Sequence, residues 1–291
     1  MKSNKYKFSI LTPTYNRGNL LYRLYNSLNK QGFVNFEWII VDDGSTDNTE
    51  KIVEDIKNRS TFDIVYVKKE NGGKPSAHNE GVKVANSELT IICDDDDFFV
   101  PDALIKINDI WDKYKNNNIG GVIAHRGISE NTILGRYFPN VRYAGINEIF
   151  HGEYYDTVQM YRTDLLKINL FPITTGEKFV PEVWLWNKLD RDYKLILMDD
   201  VVEICIYRSD GLTKTNSQNM WNNPIGYSYY FKQQYEESVG VNKIKYYAAY
   251  AGLRKYNGYS YEKASFCIEL ASKPIQWFIG FKLRCYRRGL W

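Results

Sequence analysis

Two hydrophobic periods take turns along the first 125 residues of the chain. Continuous apolar runs at Lys7 to Leu11, Phe36 to Val41, Ile64 to Val67 and Leu89 to Cys93 predict buried strands, because a strand covered on both faces needs no polar alternation. Between them, apolar residues recur at helical spacing. Leu21, Leu24, Tyr25 and Leu28 share one face of a first helix, and Thr46 to Arg59 and Ala77 to Ala85 read as the next two. Leu104, Ile107, Trp111 and Tyr114 mark a fourth. Strand and helix alternating in this way predict an α/β fold with a mostly parallel sheet and helices on both faces.

From about Gly127 the pattern is less regular. Short strands are expected at Tyr155 to Tyr161 and Val201 to Tyr207, and a helix from Pro181 to Leu189. After Asn222 the signals are helical: Tyr227 to Glu237, Lys243 to Tyr256, Tyr261 to Leu270 and Pro274 to Arg288. The expected organisation is an α/β domain over residues 1–220 followed by a helical extension over 221–291.

Composition narrows the function classes. A net charge of +3 on 291 residues gives no argument for a nucleic-acid partner. Cys93, Cys205, Cys267 and Cys285 are far apart, with no C-x-x-C pair, which speaks against a zinc or redox centre and for reduced thiols in the cytoplasm. The first residues lack the apolar core of a secretion signal, and no window reaches the roughly 20 apolar residues of a spanning helix.

The polar clusters follow the predicted strands, where ligands of parallel sheets collect. Thr12-Pro13-Thr14-Tyr15-Asn16-Arg17 places an aromatic ring and short polar groups before a helix, which suits a planar base and an anion, or simply a turn. In Asp42-Asp43-Gly44-Ser45-Thr46-Asp47 the hydroxyls can cap a helix, but capping does not account for two acids directly after a buried strand. Glu70 to Asn79, with Gly72, Gly73 and Lys74, is either an ordinary loop or a phosphate cradle. Asp94, Asp95, Asp96 and Asp97 stand side by side after the fourth apolar run. Adjacent anions must protonate, spread into water or hold a cation, and carboxylates suit Mg2+ or Mn2+.

Taken in order, TPTYNR, VDDGSTD, ENGGKPSAHNEG and CDDDDFFVPDAL resemble the inverting family 2 glycosyltransferases over roughly residues 6 to 210. The resemblance implies the GT-A fold, which is Rossmann-like, and transfer of a sugar from a nucleotide-diphosphate sugar, UDP by default. It implies that Thr12, Tyr15 and Arg17 lie near the nucleotide, that Asp43 contacts the base with Asp42 beside it, that Asp94 faces the ribose or donor sugar, and that Asp95 belongs with the donor-nucleotide residues. Asp96 of the D-x-D motif would hold the metal, and Asp97 matches a frequent extra acid. Where many members carry an arginine this chain has His78, so Lys74 is the substitute expected at the phosphates. The family's E-D pair falls on Pro181 and Glu182, which makes Glu182 the expected base, among the aromatic side chains Trp184 and Trp186. The competing reading is that Glu182 only favours its helix N-terminus. The loop Phe171 to Lys178 is a candidate lid.

The acceptor implied is a saccharide or a lipid-linked oligosaccharide of a surface polysaccharide, reached at the inner face of the membrane. The tail fits that picture in one of two ways. Five basic residues and no acid occupy residues 273–291, Gln276, Gly280, Arg284 and Arg287 fall on one arc, and apolar residues cover the remainder. Such a helix either lies on a membrane surface or docks on the protein, or on a second copy, by its broad apolar side. Two other functions remain open: a nucleotide-sugar or glycan-binding protein with a dead site, and a sugar nucleotidyltransferase. The latter is disfavoured because TPTYNRGN lacks the glycine-rich basic loop that such enzymes need.

Overall fold

Every residue of Phe36–Asp42 is buried, and this seven-residue run is the strand next to one edge of a ten-stranded sheet. The structure is a computed structural model that describes residues 4–150, 155–206 and 216–288. In chain order its elements are β1 (Tyr6–Thr14), α1 (Leu21–Leu28), β2 (Phe36–Asp42), α2 (Thr49–Arg59), β3 (Asp63–Lys68), α3 (Lys74–Val84), β4 (Ser87–Ile92), β5 (Phe98–Phe99) and α4 (Ala103–Tyr114). There follow β6 (Ile119–Ser129), β7 (Thr132–Ile133), β8 (Tyr143–Ala144), α5 (Ile146–Ile149), β9 (Thr157–Arg162), α6 (Thr163–Ile168), α7 (Val183–Asp190) and β10 (Lys194–Ile204). The last are α8 (Asn216–Asn222), α9 (Pro224–Glu237), α10 (Gly240–Lys255) and α11 (Phe266–Arg287).

The sheet order is β3-β2-β1-β4-β9-β6-β10-β5. β1 pairs in parallel with β2 and β4, and β2 with β3, while β9 runs antiparallel between β4 and β6. The expected mostly parallel α/β sheet is therefore present. The chain leaves β1 toward β2 on one side and returns to β4 on the other, so the carboxyl ends of β1 and β4 form a switch point where ligands bind in such sheets. Phe8, Ile10, Trp38, Ile40, Leu89 and Ile91 pack beneath it with α1 and α4.

Three elements differ from the expectation. β6 is an eleven-residue strand where no strand was expected. Its Gly120-Gly121 pair reads as a turn, but Gly121 is needed because a Cβ there would collide with the backbone of Met160 on β9. The strand expected at Val201 to Tyr207 is the end of β10, which starts at Lys194; Tyr207 lies outside the described residues. The two last helices are one, α11, with Pro274 inside it. Proline removes the N–H that would bond the Leu270 carbonyl. Leu270 and Pro274 are both exposed, so water can satisfy that carbonyl.

The chain divides into two compact units, Met1–Leu170 with Trp186–Tyr207, and Phe171–Leu185 with Arg208–Trp291. In the second, α10 packs against α9 and α11, around Tyr247, Tyr250 and Ala251. α11 docks with its small and polar side: Ser272, Gln276, Gly280 and Leu283 are buried, and the Gln276 amide donates to Ser272 Oγ at 2.8 Å. Gly280 permits this, since a Cβ there would strike the Tyr256 ring. Of the two readings of this tail, docking by the broad apolar side is not the arrangement found. Residues 289–291 of the expected tail lie outside the described residues. Among the described residues, no helix is long and apolar enough to cross a membrane.

Candidate functional site

The turn Asp94 to Asp97 leaves β4 at the switch point, closed by the Asp97 N–H donating to the Asp94 carbonyl at 3.1 Å. Each aspartate side chain has a partner, and Arg17 is shared by two of them. Lys74 Nζ, at the start of α3, lies 2.6 Å from Asp94. Asp95 is buried and accepts the Thr14 hydroxyl of β1 at 2.8 Å. One guanidinium nitrogen of Arg17 stands 3.4 Å from both Asp95 and Asp96. Asp97, also buried, lies 3.5 Å from Arg126 Nε. Arg23 of α1 clamps the turn by donating to the Asp96 carbonyl, and its guanidinium lies 5.0 Å from the Phe98 ring centroid.

The repulsion is therefore met by protein cations, and burial shifts two of the carboxyls upward. Burial pushes Asp95 up to about 6, against the Thr14 hydrogen bond and Arg17. Burial likewise pushes Asp97 up to about 6, with Arg126 opposing. Burial raises Asp94 too, but Lys74, with Arg126 and Arg17, outweighs it and the balance is lowered. Behind the turn, Arg126 also lies 3.3 Å from Glu203 and 3.4 Å from Asp156. Glu203 is fully buried and is pushed up to about 8 by that burial, which outweighs Arg126. Six carboxyl groups, Asp94 to Asp97, Asp156 and Glu203, thus surround three cations, Arg17, Lys74 and Arg126.

The chemistry of this donor set fits a hard divalent cation. Among the described residues no three His, Cys, Asp or Glu side chains form a metal cage. Mg2+ and Mn2+ do not need one when one or two carboxylates share them with phosphate oxygens. Asp94 and Asp96 are the partly exposed acids of the turn, with 31% and 18% of their side chains open.

The second motif forms the wall beside β1. Asp42 is fully buried, with its carboxylate taken by the Ser45 N–H at 2.7 Å and the Tyr66 hydroxyl at 2.6 Å. Asp43 joins this segment to the glycine loop: it accepts the Gly72 N–H at 2.9 Å, the Gly73 N–H at 2.7 Å and the Lys69 ammonium at 2.7 Å. Asn16 fastens the loop after β1 to the same wall, accepting the Thr46 N–H and donating its own N–H to Ser45. Thr12 faces inward and accepts the Trp38 indole N–H at 3.0 Å, whereas Tyr15 is 47% exposed. His78 lies buried on α3, where burial pushes its imidazole down to about 4 and keeps it neutral.

The structure thus brings Thr14, Arg17, Lys74 and Asp94 to Asp97 together, and ties Asp42 and Asp43 into the neighbouring loops. Sequence reasoning missed Arg23, Arg126 and Glu203. The available signal for the last was a lone acid inside the apolar run Val201-Val202-Glu203-Ile204.

Glu182 belongs to the second unit, exposed and one residue before α7. The segment leading to it is held within that unit. Glu177 accepts the N–H groups of Ile225 and Gly226 at 2.9 and 2.7 Å, at the start of α9, and the Lys178 N–H donates to Asn223 at 2.8 Å. The Gln233 amide donates to the Trp184 carbonyl at 3.0 Å. The segment considered as a lid is fastened at Glu177 and Lys178 rather than hanging free.

Comparison with known proteins bears on the family and the fold. Poly(ribitol-phosphate) beta-N-acetylglucosaminyltransferase TarS of Staphylococcus aureus (strain MW2) is 30% identical over 169 residues, 56% of this chain and 29% of TarS. GalNAc(5)-diNAcBac-PP-undecaprenol beta-1,3-glucosyltransferase of Campylobacter jejuni is 25% identical over 232 residues, 76% of this chain and 72% of its own. The chain thus spans less than a third of TarS. In structure, S. aureus TarS 1-349 in complex with UDP-GlcNAc superposes with a TM-score of 0.63 at 18% identity, covering 97% of this chain and 92% of that one, which shows a shared fold. The model of glycosyl transferase family 2 matches residues 9–170, more than half of the sequence and every strand-end motif described above, and the chain belongs to that family.

Proposed function

We propose that this chain is a metal-dependent, inverting glycosyltransferase that moves a sugar from a nucleotide-diphosphate sugar, UDP-linked by default, to a saccharide of a surface or lipid-linked glycan. The observation that carries this reading is the meeting of Arg17, Lys74 and Asp94 to Asp96 at the carboxyl ends of β1 and β4. A diphosphate arriving there would exchange the pairings of Lys74 and Arg17 with aspartates for pairings with its own oxygens. The exposed ring of Tyr15 offers a stacking surface for the base, and Asp43 holds the Gly72-Gly73 wall against which the nucleotide lies. Asp42 supports that wall through Ser45 and Tyr66.

In the transfer, the acceptor hydroxyl oxygen forms a bond to the anomeric carbon from the face opposite the diphosphate. Glu182 takes the hydroxyl proton, the carbon–oxygen bond to the diphosphate breaks, and its electron pair leaves with the diphosphate. A divalent cation held by Asp96, with Asp94 beside it, would supply compensation for the charge on that leaving group. Asp95 and Asp97 act from behind, fixing the turn through Thr14, Arg17 and Arg126. The glycan class follows from relatives named for poly(ribitol-phosphate) and for a PP-undecaprenol-linked saccharide.

Calorimetry with nucleotide diphosphates and nucleotide sugars, in manganese and then in chelator, tests the reading. Binding of one nucleotide that disappears on chelation supports it. Absence of binding for every nucleotide in both conditions overturns it.

A further inference from the structure

With its small and polar side turned inward, α11 presents its aromatic side outward. Trp277, Phe278 and Phe281 are 61, 49 and 45% exposed, and Leu270 is 52% exposed. At 100° per residue, Leu270, Pro274, Trp277, Phe278 and Phe281 fall within an arc of about 100° and extend roughly 16 Å along the helix. Trp277 and Phe281 stack, with ring centroids 6.0 Å apart and planes inclined by 15°, so the stripe is a preassembled apolar ridge. Lys273 and Arg284 border it on one side, and Lys282, whose ammonium lies 5.1 Å from the Phe278 ring centroid, on the other. No acidic residue follows Glu269 in the chain.

We propose that this ridge of α11 seats in the surface of an anionic lipid bilayer, with Trp277, Phe278 and Phe281 entering the boundary between headgroups and acyl chains. Tryptophan and phenylalanine favour that boundary, and lysine and arginine at their flanks meet the lipid phosphates. The charge pattern disfavours a second copy as the occupant. Two such ridges face to face would bring lysines and arginines together, with no acid on this stretch to pair them. The helix lies on the bilayer rather than crossing it, in keeping with its mixed composition. Seating on lipid is independent of the transfer reaction, and it is measured with neither donor nor acceptor.

The test is cosedimentation of the full chain with vesicles of phosphatidylcholine alone and of phosphatidylcholine mixed with phosphatidylglycerol. Binding is expected on the mixed vesicles, weakened by added salt and at least tenfold weaker without phosphatidylglycerol. Lys273→Gln with Lys282→Gln should lower it about 25-fold, at about fivefold for each basic residue near a charged surface. Trp277→Ser, Phe278→Ser and Phe281→Ser together should abolish it while the thermal midpoint stays unchanged, because all three side chains are exposed. Failure to bind the mixed vesicles, equal binding to both kinds, or full binding by the aromatic triple variant overturns the proposal. So does a wild-type dimer in sedimentation equilibrium that the triple variant loses without any vesicle binding, which would make the second copy the occupant.

Discussion

Arg126 on β6 and Glu203 on β10 are register partners on parallel strands, and the guanidinium Nε lies 3.3 Å from a carboxyl that is fully buried. The same guanidinium reaches Asp97 and Asp156, so a single cation answers three acids beneath the aspartate turn. Removing it leaves those acids without compensation. Arg126→Ala should lower the unfolding free energy by about 3–5 kcal/mol in urea denaturation, and Arg126→Lys should restore part of the loss.

The Glu203 carboxyl sets a pH dependence. Its folded-state value is raised to about 8, above that of an unfolded glutamate, so the native state binds the extra proton between the two. The stability this contributes is full at acid pH and is lost as pH rises toward about 8. Asp95 and Asp97, both raised to about 6, act in the same direction over a lower range. Urea unfolding measured across pH 5 to 8.5 on the wild type and on Glu203→Gln should show a decline that is shallower in the variant. Equal slopes would remove Glu203 as its source.

Asp96→Asn keeps the size of the side chain and removes one negative charge from the partly exposed edge of the turn. Activity should fall roughly 100-fold or more, and the manganese dependence of nucleotide binding should weaken. Among the described residues the Asp96 side chain meets Arg17 at a long 3.4 Å, so thermal stability should change little.

Glu182→Gln separates binding from chemistry. Turnover should fall by about 10²–10⁴-fold, with the nucleotide Kd unchanged in calorimetry. A variant with wild-type turnover would leave Glu182 only its place before α7.

How far the sequence reaches is seen by comparing Asp96 with Arg126. The aspartates follow a short apolar run and precede a helix, so their place at a strand end can be read locally. Arg126 cannot be read that way. It lies in a strand disguised by Gly120 and Gly121, and Glu203, its register partner, is 77 positions further along the chain. The β1, β2 and β4 runs were legible because both faces are covered, and the β3 run because its short apolar stretch is unbroken although it lies half-buried at the sheet edge. For α11 the amphipathic pattern was visible but its orientation was not. Hydropathy alone turns the aromatic side inward, whereas the close approach to Tyr256 at Gly280 requires the small side there.

The hydrogen bonds that secure Glu177, Lys178 and Trp184 to α9 have a consequence for shortening the chain. A fragment ending at residue 206 would retain β1 to β10 and all four aspartates of the turn, yet strip the segment around Glu182 of the helix that shapes it. Such a truncation should act as a receptor for the nucleotide without turnover, and adding residues 216–288 as a separate piece would be the route to complementation. If Glu182 is the base, α9 belongs to the shortest length of chain that can turn over, and is not a handle attached to it.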